Sequence, residues 1–509
     1  MPAASGRLDQ FGGCLFGRSR HVCRIARGDN RDPIGRQGSC SNLKITLRTT
    51  QKVDLQSTDY FGVLYLLLPV VFFFAFYTIA AIAIPSVVFL IYCISRLRLT
   101  QSLNPSNYAL LALNAVVSVA VVISSGAAGP LYVNSDWYKH YAIFNELARH
   151  STIAEQGFTL RYYIGAYIVP SFAEKVYGFS SGVVFASWIS IGLFIFLNQL
   201  SSLIDSARLR YVAPFLFLLF SGADIVGAFI TGFQWGPIHH IEWWVGWIEY
   251  SSPITSLFWA PQSTLPAWIS IAFLSRKISI EQKVFVYPIV LMCCLLWSPF
   301  AAIGIAPFIF LVLADRKLLS AEISLINVAG VALLSAMLCY YLTFDVDKIP
   351  KHWVWNNPCL ITSASETCFS IKGYVLFVFL EVLPIWAIAI FYHPSRKEIL
   401  NTALALLLLM PFVQLGLAND LAMNASKPAI AALVIGLIIS LQGGHSIRAF
   451  LVGVIFAAGV ATPLGEILRS FKLDRAISSD IDVSTFVKTS PEYASQYVTE
   501  KKIWFLRDE

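Results

Sequence analysis

What most constrains this chain is a succession of apolar runs, each of about twenty residues, that recurs from Phe61 to Leu468. Inside a bilayer every backbone N–H and C=O must be bonded within the protein, which leaves helices and closed barrels. A barrel would read as short segments of alternating polarity. Here the runs are continuous, so the fold class is an all-α polytopic membrane protein. Composition agrees: 57% hydrophobic and 13% charged residues, with a mean hydropathy of +0.66, lie outside the soluble range.

Candidate spans fall at 61–80, 84–97, 107–125, 182–200, 211–231, 257–274, 284–297, 299–314, 323–344, 374–392, 399–416, 428–442 and 449–468, about thirteen in all. The runs 61–97 and 284–314 are too long for one crossing, and Pro85 and Ser298-Pro299 mark the expected break in each. Arg96 and Arg98, Arg208 and Arg210, Arg276 and Lys277, Arg316 and Lys317, Arg396 and Lys397, and Arg448 occupy alternate loops. The positive-inside rule makes those loops cytoplasmic. The opposite side then receives the loops 126–180, 232–256, 345–372 and 417–427 and the tail.

Three regions follow. Residues 1–58 are arginine-rich without apolar periodicity and read as a disordered cytoplasmic extension. Residues 59–470 form the transmembrane domain, with 126–180 as its first large outer loop. Residues 471–509 form a short outer tail. The net charge of +7 comes largely from the extension and implies no nucleic-acid partner; the partner is the bilayer. No glycine-rich phosphate loop or βαβ nucleotide unit is present, which argues against a cytosolic nucleotide as the donor.

Charge beside a membrane is expensive unless it works. In Ser135-Asp136-Trp137-Tyr138-Lys139-His140 a helix would put Asp136, Lys139 and His140 on one face at i, i+3 and i+4. Ile143, Phe144 and Leu147 continue an amphipathic stretch, and a second runs from Arg161 to Pro170. Either these are interfacial anchors, or Asp136 accepts a proton while Lys139, His140 or Arg161 holds an anion. A second cluster joins His239, His240 and Glu242, among several tryptophans, with Trp259 and Gln262. Adjacent histidines point to different faces, so no metal is assigned. Tryptophan can stack on a pyranose ring while His, Glu and Gln bond its hydroxyls; an aromatic belt is the simpler alternative. A third segment carries Asn419, Asp420 and Lys427, either as a capped turn or as a phosphate site at a helix start. Cys359 and Cys368 share one outer loop and suit a disulfide in an oxidising compartment. Asp224 and Glu381 lie well inside apolar runs and would need partners or water.

The blocks Asp136-Trp137-Tyr138-Lys139-His140, Trp259-Ala260-Pro261-Gln262, Trp297-Ser298-Pro299-Phe300 and Asn419-Asp420 followed by Ala425-Ser426 and Pro428-Ala429 resemble those of uncharacterised bacterial membrane proteins of the GT-C type. That superfamily comprises multi-pass glycosyltransferases using polyprenyl-phosphate-linked sugars outside the cytoplasm. The resemblance spans roughly residues 60–470. It implies a GT-C-like fold with interfacial helices in the first outer loop, a bacterial inner-membrane location and an active site facing the periplasm. It further implies an inverting transfer to a glycan or lipid acceptor, with Asp136 as base. Lys139, His140, Arg161, Asn419 and Asp420 would serve the donor phosphate, and His239, His240, Glu242, Trp259 and Gln262 the sugar. Many members pair two acids in this loop, which would suit a divalent cation; here Ser135 precedes Asp136 and no cofactor is assigned. The alternatives are a flippase or small-molecule transporter using Asp224 and Glu381, and a polysaccharide polymerase or ligase. The latter typically relies on outer-loop arginines, and Arg149 and Arg161 are the main ones here.

Overall fold

The computed structural model describes residues 44–46 and 52–507, apart from 101–107, 130, 156, 237–239, 315–321, 348, 357–358, 362–365, 417–418, 445, 475–479, 490 and 492–495. The chain is predominantly helical, and among the described residues its β-structure is limited to ribbons of two or three very short strands and one isolated bridge. Among the described residues seven helical segments are long and apolar enough to cross a bilayer: Ser57–Tyr77, Gly182–Ser202, Ile280–Trp297, Leu325–Thr343, Ile371–Tyr392, Asp420–Ser440 and Ser446–Lys472. Ala80–Arg96, Tyr108–Ser124 and Pro299–Leu313 are shorter apolar helices.

The expected spans 211–231, 257–274 and 399–416 are interrupted, the last giving way after Lys397–Leu409 to a 3₁₀ turn and the strand Val413–Leu415. The stretch 211–231 divides into helices Ala207–Leu218 and Asp224–Thr231 around Ser221-Gly222. The stretch 257–274 divides at Ala260, between Pro253–Trp259 and Pro261–Leu274, because Pro261 cannot extend the preceding helix. Ser298 breaks 284–314 where expected, in extended geometry. In 61–97 the break instead falls at Thr78-Ile79, and Pro85 lies inside Ala80–Arg96. The C-terminal tail decides this: Thr78 pairs with Leu506, and the Ile79 N–H donates to the Phe505 carbonyl.

Asp420–Ser440 is the central element, with 89% of its most apolar window buried, against 22% for Ser446–Lys472. It packs against Pro261–Leu274, Pro299–Leu313, Leu383–Tyr392 and Lys397–Leu409. Ser57–Tyr77 forms the other packing centre, touching Ala80–Arg96, Gly165–Tyr177, Ser181–Ser202 and Ile280–Trp297. The first amphipathic stretch of the first large loop is the helix Trp137–Arg149; in the second, residues 161–164 precede the helix Gly165–Tyr177, and the two helices pack on each other.

The two ends of Ser57–Tyr77 meet different parts of the chain. At the start of Ser57–Tyr77, Arg276 forms a buried ion pair with Asp59 (Nε–Oδ2 2.6 Å) and bonds Gln56, Thr58 and Ser202. There too the strand Val53–Leu55 runs parallel to Leu97–Leu99, and Lys44–Thr46 pairs with Glu322–Ser324. Part of the expected disordered extension is therefore built into the fold; residues 1–43 lie outside the described residues. The other end of Ser57–Tyr77 meets the tail. Val498–Thr499 adds an edge to the ribbon formed by Ala154–Glu155 and Phe158–Leu160, Phe486 packs on Tyr138, and Tyr497 packs on Tyr162. The tail is thus part of the first-loop structure rather than a free appendage. Cys359 and Cys368 face each other across a short antiparallel ribbon and are disulfide-bonded.

Candidate functional site

A helix C-terminus leaves its last carbonyls without intrahelical partners. Pro253–Trp259 ends inside the protein, and the carbonyls of Phe258, Trp259 and Ala260 are claimed from three directions. Asn134 Nδ2 and Trp137 Nε1 donate to the Phe258 oxygen at 2.9 and 2.8 Å. His140 Nε2 donates to Trp259 O at 2.9 Å, and Lys427 Nζ reaches Ala260 O at 3.5 Å. This junction joins the first loop, the 252–274 stretch and the start of the central helix. The candidate site lies around it.

Asp136 is the N-cap residue of Trp137–Arg149. Lys139, one turn on, closes an ion pair with it (Nζ–Oδ2 2.7 Å), leaving the Asp136 side chain about one-third exposed. Burial disfavours the Lys139 ammonium, but Asp136, the Tyr163 phenol and Asp420 together hold its pKa above the ordinary lysine value. His140 is different. Its Nε2–H donates to a carbonyl, so Nδ1 is the acceptor for the Tyr167 hydroxyl at 2.6 Å. Burial and the neighbouring Lys139 push its pKa down to about 4. His140 is therefore a neutral brace between Tyr167 and Trp259, with both nitrogens occupied, and offers no charge to an anion.

The 419–428 segment brings a second acid and a second amine to the same place. Asn419 adopts a left-handed backbone (φ 55°) and starts the short helix Asp420–Ala425. The Asp420 carboxylate folds back over Gly416, where a Cβ would overlap it. Asp420 lies within electrostatic reach of Asp136, Lys139 and Lys427. Lys427 is buried and also bonds Asn424 Oδ1 at 2.9 Å. Asn419 Oδ1 is buried with no hydrogen-bond partner. Two carboxylates and two amines, from residues almost 300 positions apart, thus meet beside one helix end.

On the other side of Trp259 lies a chain of buried charges. The Trp259 indole donates to Glu466 Oε1 at 2.8 Å. Glu466 Oε2 takes His240 Nε2 at 2.5 Å and Arg469 NH1 at 2.9 Å. His240 Nδ1 faces Glu242 Oε2 at 3.4 Å, and Glu242 Oε1 accepts from Ser252 N and Thr255 Oγ1. Burial opposes the imidazolium, yet Glu242 and Glu466 raise the His240 pKa to about 10. Burial raises the Glu242 carboxyl, with His240 pulling the other way. Gln262, on the first turn of Pro261–Leu274, is buried with its Oε1 unpartnered.

Asp136, Lys139, His140, Asn419, Asp420, His240, Glu242, Trp259 and Gln262 therefore gather around one junction or its immediate neighbours. Arg161 does not: its electrostatic partners are Asp345 and Tyr341, on the side of the tail. His239 lies outside the described residues. Glu466 and Arg469 join the site without having been singled out as site residues. Their only signal in the sequence is charge at the end of an apolar run, and that signal names no partner. Among the described residues no group of three or more His, Cys, Asp or Glu could hold a metal ion, and Asp136 has a lysine rather than a second acid as its bonded neighbour.

Comparison of the chain with protein-family models, with curated proteins and with solved structures returns no match, so the functional reading rests on the residues and their geometry.

Proposed function

We propose that the protein is an inverting membrane glycosyltransferase of the GT-C type, moving a sugar from a polyprenyl phosphate to a cell-envelope glycan or lipid on the periplasmic side of a bacterial inner membrane. The observation that supports this most directly is the meeting of Asp136 and Lys139 with Asp420 and Lys427 beside the Trp259-Ala260 junction. Asp136 is partly exposed, and Lys139 occupies Oδ2 only. Oδ1 remains to accept the proton of an acceptor hydroxyl. That hydroxyl oxygen bonds to the anomeric carbon as the bond from carbon to phosphate oxygen breaks, and the electron pair leaves with the polyprenyl phosphate. Lys139 and Lys427 offset the charge that develops there; the sequence offered Lys139, His140 or Arg161 for this role, and Lys427 replaces the last two. Trp259, Gln262 and the His240–Glu242 pair are the groups available to a sugar.

Sugar transfer by the purified protein, supplied with polyprenyl-phosphate sugars and a membrane lipid extract, tests this. Asp136→Asn should lower kcat by about 10²–10⁴-fold. Full activity in that variant would remove Asp136 as the base. Transport is the second reading, favoured by Asp224 and Glu381 inside the apolar region. It requires that Asp224→Asn and Glu381→Gln abolish flux in proteoliposomes while Asp136→Asn is tolerated.

A further inference from the structure

A pair of exposed tryptophans stands in the loop between Leu325–Thr343 and Ile371–Tyr392, outside the residues gathered at the Trp259 junction. The strand Lys351–Trp353 pairs antiparallel with Val413–Leu415, with Val413 opposite Trp353. The Val354 N–H donates to the Phe412 carbonyl and the Gly416 N–H to the Pro350 carbonyl, both at 3.0 Å, so the ribbon is tied at each end. Gly416 is also the residue over which the Asp420 carboxylate folds. Side chains alternate between the two faces of an extended chain. Val354 is accordingly buried, while Trp353 and Trp355 point outward, 50% and 56% exposed.

The two indoles stack in parallel, with centroids 5.0 Å apart and planes 6° from each other. Rings already held against one another lose little freedom when a ligand covers them. Behind the pair runs a continuous aromatic row. Trp355 meets Phe412 at 6.2 Å, Phe412 meets Phe369 at 6.3 Å, and Phe369 meets Trp247 at 4.8 Å. The Trp247 carbonyl accepts from Asn419 Nδ2 at 3.5 Å, which joins the row to the candidate site. Phe369 directly follows Cys368, so the Cys359–Cys368 disulfide anchors this part of the row. The rim of the patch is charged: the Asp347 and Lys351 side chains, paired at 4.0 Å, are 95% and 62% exposed. Charges this open belong in water rather than among acyl chains. An exposed apolar patch with a polar rim marks an interaction site.

We propose that Trp353 and Trp355 bind a pyranose ring of the acceptor, so that the acceptor is a glycan rather than a lipid. This rests on the transferase reading above and narrows it. The C–H groups on one face of a pyranose lie flat against an indole, while its hydroxyls turn to water and to the polar rim. A lipid tail gains nothing from that rim. The ribbon and the aromatic row give the direction: the chain of sugars extends from the Asp136 junction, past Asn419 and Asp420, to the pair. Such a subsite, remote from the reacting hydroxyl, supplies binding energy that orients the acceptor.

The test measures equilibrium binding to the full-length protein in nanodiscs, with no sugar donor present. The probes are tritiated chito-, cello- and malto-oligosaccharides and the oligosaccharides that mild acid releases from bacterial envelopes. Binding by the wild type should strengthen with oligosaccharide length. Trp353→Ala and Trp355→Ala should each weaken it about tenfold, a loss of about 1.4 kcal/mol. Both side chains are exposed, and unchanged thermal midpoints check that the variants fold. The proposal is overturned if no probe binds the wild type, or if both variants bind as well as the wild type does. It is also overturned if brominated lipids quench the fluorescence that the double variant Trp353→Phe/Trp355→Phe lacks, because the pair is then a bilayer anchor. Failure of the transferase reading looks different. Binding that depends on the pair, without transfer from any polyprenyl-phosphate sugar, removes the enzyme and leaves the saccharide site. Transfer with the same acceptor KM in the wild type and both variants removes the saccharide site and leaves the enzyme.

Discussion

His140 and His240 carry the same side chain into opposite states, and the difference is the company each keeps. His140 is buried beside the Lys139 ammonium, so its pKa falls to about 4 despite the Trp259 carbonyl, and it braces the Trp259 junction as a neutral ring. Around His240 stand two carboxylates, so its pKa rises to about 10 and it remains a cation. The sign of the stability effect follows. His240 gains affinity for its proton on folding, so its contribution is fully present below pH 6.5 and is lost as the pH rises through about 10. Thermal unfolding of the wild-type protein should show a fall in midpoint across that window, and His240→Gln should flatten it. The same variant leaves Glu466 and Glu242 short of a cation in a buried place, costing about 3–5 kcal/mol at neutral pH. Gly416 makes a different kind of residue-scale prediction. Its φ of 88° and the Asp420 carboxylate against its Cα leave no room for a side chain. Gly416→Ala should therefore move Asp420 and reduce sugar transfer, with the helical circular dichroism unchanged.

At the scale of elements, the site depends on helices that stop. Pro253–Trp259 ends beside Ala260, and its last carbonyls receive Trp137, His140 and Lys427. Pro299–Leu313 sets the distance on one side: a Cβ at Gly304 would overlap the Ala425 carbonyl, two residues before Lys427. Gly304→Ala should cost about 1–3 kcal/mol by overpacking and should lower transfer, though residue 304 touches no substrate. At the opposite end of the bundle, Asp59 and Arg276 staple Ser57–Tyr77 to Pro261–Leu274. Arg276→Ala leaves a buried carboxylate unpaired and should cost about 3–5 kcal/mol in denaturation, while replacing both partners with apolar residues should recover most of it. The sequence made part of this legible. Ser298-Pro299 announced its break, and the i, i+3 spacing of Asp136 and Lys139 announced their shared face; the ion pair between them and the break before Pro261, inside an expected span, were not announced. The break at Thr78-Ile79 carried no proline, because a strand-like contact with Leu506, more than 400 residues away, turns the chain there.

For the whole molecule, the positive-inside rule applied to the cationic loops predicts a definite sidedness. A cysteine placed at Lys277 should react with an impermeant maleimide only from the cytoplasmic face, and one at Lys372 only from the other; the reverse pattern would invert the topology. Hydropathy and charge act locally and add along the chain, so the amino-acid sequence alone determined that this chain is mostly helical with helices apolar and long enough to cross a membrane, where its apolar runs lie and which loops carry the cations. It also determined that Asp136, Lys139 and His140 share one helical face. Only the tertiary structure decided what those residues meet. Asp420 and Lys427 join Asp136, Glu466 joins His240, and Arg161 turns to Asp345 instead. Such pairings are set by which helix ends are packed together, and no local pattern encodes them. The partner of a buried charge, and hence its protonation and use, follows from contacts formed across hundreds of residues.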